Sequence, residues 1–227
     1  MENKMEVEVG KLLEGFGKFP ECETCKRKDC KGKLDYNDLC GNINYLRMYG
    51  KANYENNRET FLRLKKIMGD EKPAIFSFGC GLGLDYLGAE QAFGNSGYYY
   101  PIEECKWAIM DTNNYKGFEP PLPRSAISFE KGLALLARTQ RNAVICFFHS
   151  LYTIARNTDL RNELLSALKF KENFYLVCNF TINSHFGPVM YEREFIDDLA
   201  KDLRDTFVLK KVDIIGGRGI IIQGKRK

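Results

Sequence analysis

Three groups of residues in this chain have types and spacings that could do chemistry. The first is the run Gly79-Cys80-Gly81-Leu82-Gly83, which directly follows the short apolar stretch Ala-Ile-Phe-Ser-Phe at 74–78 and precedes Leu84-Asp85-Tyr86-Leu87-Gly88-Ala89. That order reads as buried strand, glycine turn, helix. Glycines at alternate positions let backbone approach a ligand without side chains intervening, and the helix that follows presents unpaired N–H groups. A carboxylate about 20 positions on, at the end of the next strand, can accept both hydroxyls of a ribose. Glu103, directly after Tyr100-Pro101-Ile102, stands there. Gly79, Cys80, Gly81, Gly83 and Glu103 together describe a nucleotide-type cradle.

The second group is Cys22, Cys25, Cys30 and Cys40, spaced C-x2-C-x4-C-x9-C among Pro20, Gly32 and several Lys and Asp residues. Four thiolates satisfy tetrahedral coordination, and the two-residue gap lets Cys22 and Cys25 bind from one tight turn. Such a knuckle has almost no core, so a structural metal would supply most of its folding energy. Zinc is the first expectation, with an iron–sulfur cluster as the alternative. The other four cysteines, Cys80, Cys105, Cys146 and Cys178, are scattered, and core packing is their expected role.

The third group is the chain's pair of histidines, His149 and His185. Each follows an apolar strand and so falls near the carboxyl edge of a parallel sheet, where such sheets bind ligands. A histidine there can serve as a base or can simply bond a carbonyl at the strand's end. Tyr45, Tyr49 and Tyr54, which precede the glycine turn, suit either a lid or a helix core.

The elements that must position these groups alternate. Residues 42–68 suit amphipathic helices interrupted by Gly50, and strands are expected at 74–78, 98–102, weakly at 125–129, at 143–148 and from Phe174 to Phe180. Helices are expected from Cys105 to Met110, at 159–169 and through 191–204. Phe207 to Ile215, the turn Gly216-Gly217-Arg218-Gly219 and Ile220 to Gln223 read as a hairpin. Alternating strands and helices imply an α/β fold with a mostly parallel sheet, and the closing hairpin adds an antiparallel strand at or near its edge. The chain divides into residues 1–41, with the knuckle, and residues 42–227, the main domain with a helical lead-in.

Length and composition agree with that division. The 227 residues, 44% hydrophobic and 13% aromatic, can bury one sizeable core plus a small module. Lys and Arg exceed Asp and Glu by only 34 to 30, too slight a balance to announce nucleic acid as the general partner. The basic residues nevertheless cluster at Lys26, Arg27, Lys28, Lys31 and Lys33 and at Lys225, Arg226 and Lys227, so a nucleic-acid contact through the knuckle and the C-terminal tail stands beside the reading of both as solvated charge. No apolar run approaches the ~20 residues of a membrane span, and the N-terminus lacks the order of a signal peptide, which makes the cytoplasm the expected location.

The dinucleotide fingerprint G-x-G-x-x-G fails from either start, since Leu84 and Tyr86 occupy the positions of its last glycine. Ile75 to Asp85 and Tyr100-Pro101-Ile102-Glu103 instead resemble the first and acidic second motifs of the class I S-adenosylmethionine-dependent methyltransferases, and the order of elements through the terminal hairpin extends the likeness over roughly residues 42–224. The resemblance implies a Rossmann-like, seven-stranded sheet with helices on both faces and the cofactor at the carboxyl ends of the first strands. It places Gly79, Gly81 and Gly83 along the cofactor's methionine portion and Glu103 on its ribose, and Trp107 suits either a place beside the adenine or the core. Ser77 departs from the family pattern, standing where many members have an acidic residue, and His149-Ser150-Leu151-Tyr152 follows the fourth strand in place of Asn/Asp-Pro-Pro-Tyr. Methyl transfer from a sulfonium needs alignment and, for some acceptors, a base. His149 is the first choice for that base and His185 the second. The methyl acceptor stays open, as does an alternative in which a methyltransferase-like domain without turnover presents the basic knuckle to nucleic acid or a protein. A nicotinamide-dependent oxidoreductase ranks below both.

Overall fold

The structure is a computed structural model, and it describes residues 39–81, 83–94, 98–103, 126–157, 159–180, 182–183, 187–188, 190–214 and 218–227. Cys22, Cys25, Cys30, Trp107 and His185 lie outside them, as does the helix expected from Cys105 to Met110.

The lead-in is a single helix, α1 (Leu39–Met68), which at 1.5 Å per residue runs about 45 Å. It continues through Gly50 where the sequence suggested a break. A mid-helix glycine costs about 1 kcal/mol relative to alanine, and here Gly50 is buried in a helix held by packing. Cys40 stands in the first turn of α1.

There follow β1 (Ala74–Phe78), α2 (Leu84–Phe93), β2 (Tyr98–Ile102), α3 (Phe129–Arg138), β3 (Ala143–Phe148), α4 (Leu151–Asn157), α5 (Leu160–Leu168), β4 (Asn173–Asn179), the short pair β5 (Ile182–Asn183) and β6 (Gly187–Pro188), α6 (Met190–Leu203), β7 (Phe207–Asp213) and β8 (Gly219–Arg226). The main sheet has six strands in the order β2-β1-β3-β4-β8-β7. The first four run parallel, and β8 runs antiparallel to both β4 and β7. The terminal hairpin therefore inserts its second strand beside β4 and leaves its first at the edge.

Among the described residues the sheet has six strands, which corrects the expected seven. The weak strand at 125–129 is reduced among the described residues to one bridge between Ile102 and Ile127. Ile127 donates to Pro101 and accepts from Glu103, but the next residue, Ser128, already caps α3 by accepting from the Lys131 N–H. Among the described residues, only Ile127 pairs with β2 before that helix starts.

Because side chains alternate along a strand, the buried sheet divides into two cores. Phe76, Phe78, Ile145, Phe147 and Leu176 face α3, α5 and α6 through Leu136, Leu164, Leu168, Ile196 and Leu199. Ile75, Val144, Val177 and Ile221 face α1 and α2 through Phe61, Leu64, Met68, Ala89 and Phe93. Cys146 and Cys178 are buried among these strands as expected. Among the described residues, no helix is long and apolar enough to cross a membrane.

Candidate functional site

The carboxyl ends of β2, β1 and β3 lie side by side, and each continues into one predicted feature: Glu103 after β2, the glycine turn after β1, His149 after β3. The turn is anchored to β2 by two hydrogen bonds, since the Gly79 and Cys80 N–H groups both donate to the Ile102 carbonyl, at 2.8 and 3.2 Å. The Gly81 N–H donates to Glu103 Oε2 at 2.9 Å. The two motifs recognised separately in the sequence are thus in direct contact.

Two glycines of the turn are required for different reasons. Gly79 has φ +71°, and a Cβ there would lie 2.5 Å from Ser150 Cβ, so the glycine lets the turn pack against the segment after β3. Ser150 Oγ fixes that contact by donating to the Phe78 carbonyl at 2.6 Å. Gly81 has φ +51°, and a Cβ added there would meet no atom of the described residues within 4 Å. Its backbone therefore borders open space, the feature expected where main chain receives a ligand. Cys80 is buried, and burial followed by the nearby Asp85 and Glu103 charges pushes its thiol well above the ordinary range. A protonated buried thiol is no nucleophile, so Cys80 takes part in the turn through its backbone.

His149 adopts a left-handed backbone, φ +58°, uncommon for a residue other than glycine. Its N–H donates to the Asn179 carbonyl at 3.0 Å. Burial lowers the imidazole to about 4, against the opposing effect of a hydrogen bond to the Phe180 backbone. Its buried Nε2 has no hydrogen-bond partner among the described residues. A buried polar atom left so is exceptional, and here it is the lone pair or N–H of a neutral ring at the end of β3.

The sequence reading did not find two buried polar clusters. In one, Thr60 Oγ1 and the Asn179 side chain are 3.0 Å apart and Asn179 Nδ2 donates to Asn57 Oδ1 at 2.9 Å, which ties α1 to the strand end whose carbonyl holds His149. In the other, Asp85 Oδ2 accepts from the Ser77 hydroxyl and, at 2.6 Å, from the Tyr99 hydroxyl. Burial raises the Asp85 carboxyl and these two bonds lower it. The signal for the second cluster was a serine inside an otherwise apolar strand, since a buried hydroxyl needs a partner. Tyr54, expected in a lid or a core, is buried against Leu87 and donates to Gln91 at 3.1 Å, whereas Tyr49 is exposed.

No group of residues that could hold a metal occurs among the described residues. A cleft of about 300 Å³ between α4, α5 and α6, lined by Ala155, Leu160, Tyr191 and Phe195, holds none of the predicted site residues.

No family model matches the sequence. No curated protein matches it either. Among solved structures the chain is similar to the plantazolicin methyltransferase BpumL in complex with SAH, at 11% identity over 99% of this chain and 100% of that one, with a TM-score of 0.50. It is also similar to magnesium protoporphyrin IX methyltransferase from Synechocystis PCC 6803 with bound SAM, at 11% identity over 99% and 98% of the two chains and a TM-score of 0.42. At 11% identity the likeness to BpumL is one of fold.

Proposed function

We propose that this chain, whose fold is that of the class I S-adenosylmethionine-dependent methyltransferases, is itself such an enzyme, with Gly79, Cys80, Gly81 and Gly83 receiving the cofactor and Glu103 its ribose. The observation that carries this reading is the open space in front of Gly81, bordered by a turn whose N–H is hydrogen-bonded to Glu103. A carboxylate offers about four acceptor positions, so bonding Gly81 is compatible with accepting ribose hydroxyls.

When bound, the cofactor supplies a sulfonium methyl group for in-line displacement, with a thioether leaving group that needs no protonation. The chain must then align the acceptor and, where the acceptor is protonated, take its proton. His149 suits that second task by position, after β3 and beside the Gly79–Ser150 contact. Its burial keeps the ring neutral near pH 7, so Nε2 can accept a hydrogen bond from the acceptor, while the same burial opposes full proton uptake there. The rigid left-handed turn, held by Asn179 and Phe180, fixes where that nitrogen sits.

The cysteines Cys22, Cys25, Cys30 and Cys40 are proposed, on their spacing, as a separate structural metal site. Metal analysis and an absorption spectrum of the purified protein distinguish zinc from an iron–sulfur cluster, which absorbs near ~400 nm.

The enzymatic reading is tested by incubating the protein with methyl-labelled S-adenosylmethionine and pools of RNA, DNA, protein and small molecules. Label should transfer into one pool, and His149→Asn should slow transfer by roughly 10²–10⁴-fold if His149 is the base while leaving cofactor affinity unchanged. Cofactor binding without transfer into any pool would favour a binding module without turnover.

A further inference from the structure

We propose that the Asp85 carboxyl is a latch that holds the glycine turn in its cofactor-receiving shape by fastening β1, β2 and α2 to one another. It is a positioning residue and makes no contact with the cofactor. The carboxyl, carried by the first turn of α2, gathers donors from the two strands beside it: the Ser77 hydroxyl on β1 and the Tyr99 hydroxyl on β2. Ser77, Asp85 and Tyr99 are only 0%, 3% and 4% exposed, so no water can substitute for a missing partner.

The need for such a group follows from the turn itself. Gly83 stands at the N-cap of α2 in the left-handed conformation and provides no side-chain cap. The first N–H groups of the helix would then lack partners. Asp85 stands in that first turn, and its bonds reach the strands on either side of the glycine turn. Gly79 and Cys80 hang from Ile102 at the end of β2, and Gly81 hangs from Glu103 just beyond it. A shift of α2 against β1 and β2 would therefore reshape the segment that carries all these bonds. Removing the carboxyl leaves two buried hydroxyls without their acceptor, the costly side of hydrogen-bond loss.

Ser77 and Asp85 reach the same point from opposite elements. What matters is that a carboxyl sits among the three, and which element carries it is secondary. A reciprocal exchange should therefore preserve the latch, a result that a merely space-filling or stabilising role for Asp85 does not predict.

The inference rests on the methyltransferase reading only for its affinity arm. The experiment measures S-adenosylmethionine affinity by calorimetry and, on unliganded protein, amide hydrogen exchange across residues 79–87. Asp85→Ser should weaken binding about tenfold or more and speed exchange in that segment while the rest of the sheet keeps its protection. The double variant Ser77→Asp with Asp85→Ser should restore affinity to within about threefold and restore the exchange pattern. Tyr99→Phe, which keeps the ring and loses one donor, should lie between parent and Asp85→Ser in both measurements. Parent-like affinity and exchange in Asp85→Ser would overturn the latch, as would a double variant no better than the single. Should Asp85→Ser fail to fold, parent-like behaviour of Tyr99→Phe on both measurements overturns it. A parent that binds no S-adenosylmethionine overturns the proposed function, and the exchange arm then decides the latch by itself.

Discussion

The two faces of the sheet are covered in different ways. On the side of α3, α5 and α6 the strands present Phe76, Phe78, Ile145, Phe147 and Leu176, and the buried charged groups stand at the rim, where each answers backbone. Lys171 donates to the Ala137 and Thr139 carbonyls after α3, and Glu192 accepts from the Tyr152 N–H at the start of α4. On the side of α1 and α2 the buried polar groups bond one another across elements, as in Ser77 with Asp85 and Tyr99, and Asn57 and Thr60 with Asn179. Groups that finish helix ends can serve stability alone. Groups that couple the helices to the strand ends can set the shape of what lies at those ends, and here that is the glycine turn and the His149 turn.

The sharpest way to break this comparison is a large cavity on the first face. Leu164 in α5 is fully buried, and Leu164→Ala should cost about 3 kcal/mol of stability, seen as a drop in melting temperature. Cofactor affinity, measured in the cold where the variant stays folded, should equal the parent's. If affinity fell in step with stability, the two faces would not be separable.

Acid should act on the second set of contacts through His149. Its imidazole titrates near 6.5 in the unfolded chain and near 4 in the folded one, so between these values the unfolded chain binds more protons. The His149 contribution to stability should therefore rise with pH from about 4 to 6.5 and level off above. The whole span is worth up to about 3 kcal/mol. His149→Asn, which tolerates a left-handed backbone, should lose that part of the slope. Melting curves of parent and variant across this range that stay parallel would show that His149 is not buried as described.

Glu103→Ala should have a smaller and more selective effect. By the proposed function it weakens S-adenosylmethionine binding by about 1.5–3 kcal/mol, through lost charged hydrogen bonds to the ribose. The melting temperature should fall only slightly, since one turn amide loses its acceptor. Unaltered affinity would mean that Glu103 serves the turn and leaves the ribose alone.

What was legible in the sequence follows from the same contrast. The glycine turn and Glu103 could be read because backbone chemistry is tied to residue type: only glycine adopts such φ values cheaply, and an acid after a strand end has few other uses. The parallel strands could be read from apolar runs, and the terminal hairpin from its glycine turn. Asp85 could not, because an acid in the first turn of a helix looks like an ordinary solvated residue until burial shows it facing Ser77 and Tyr99. Asn179 likewise closes a strand like any polar residue, and its partners Asn57 and Thr60 lie more than a hundred positions away. Among the described residues the expected strand at 125–129 came down to the Ile127 bridge because Ser128 already caps α3, a competition that propensity does not rank. The helices α3 and α4 escaped notice because the first directly follows that weak strand and the second spans only seven residues.

The claim on which the rest depends is that backbone at Gly81 receives the cofactor, and it is tested most directly by titrating S-adenosylmethionine and its demethylated product into parent and Gly81→Val, with thermal melts of the same samples. Valine at φ +51° is strained by about 1–2 kcal/mol, so the variant should melt somewhat earlier than the parent. The account predicts micromolar binding of both ligands to the parent and none to the variant at temperatures where it is fully folded, because the branched side chain fills the open space before Gly81. A variant that melts early yet binds with parental affinity in the cold, or a parent that binds neither ligand, would contradict it.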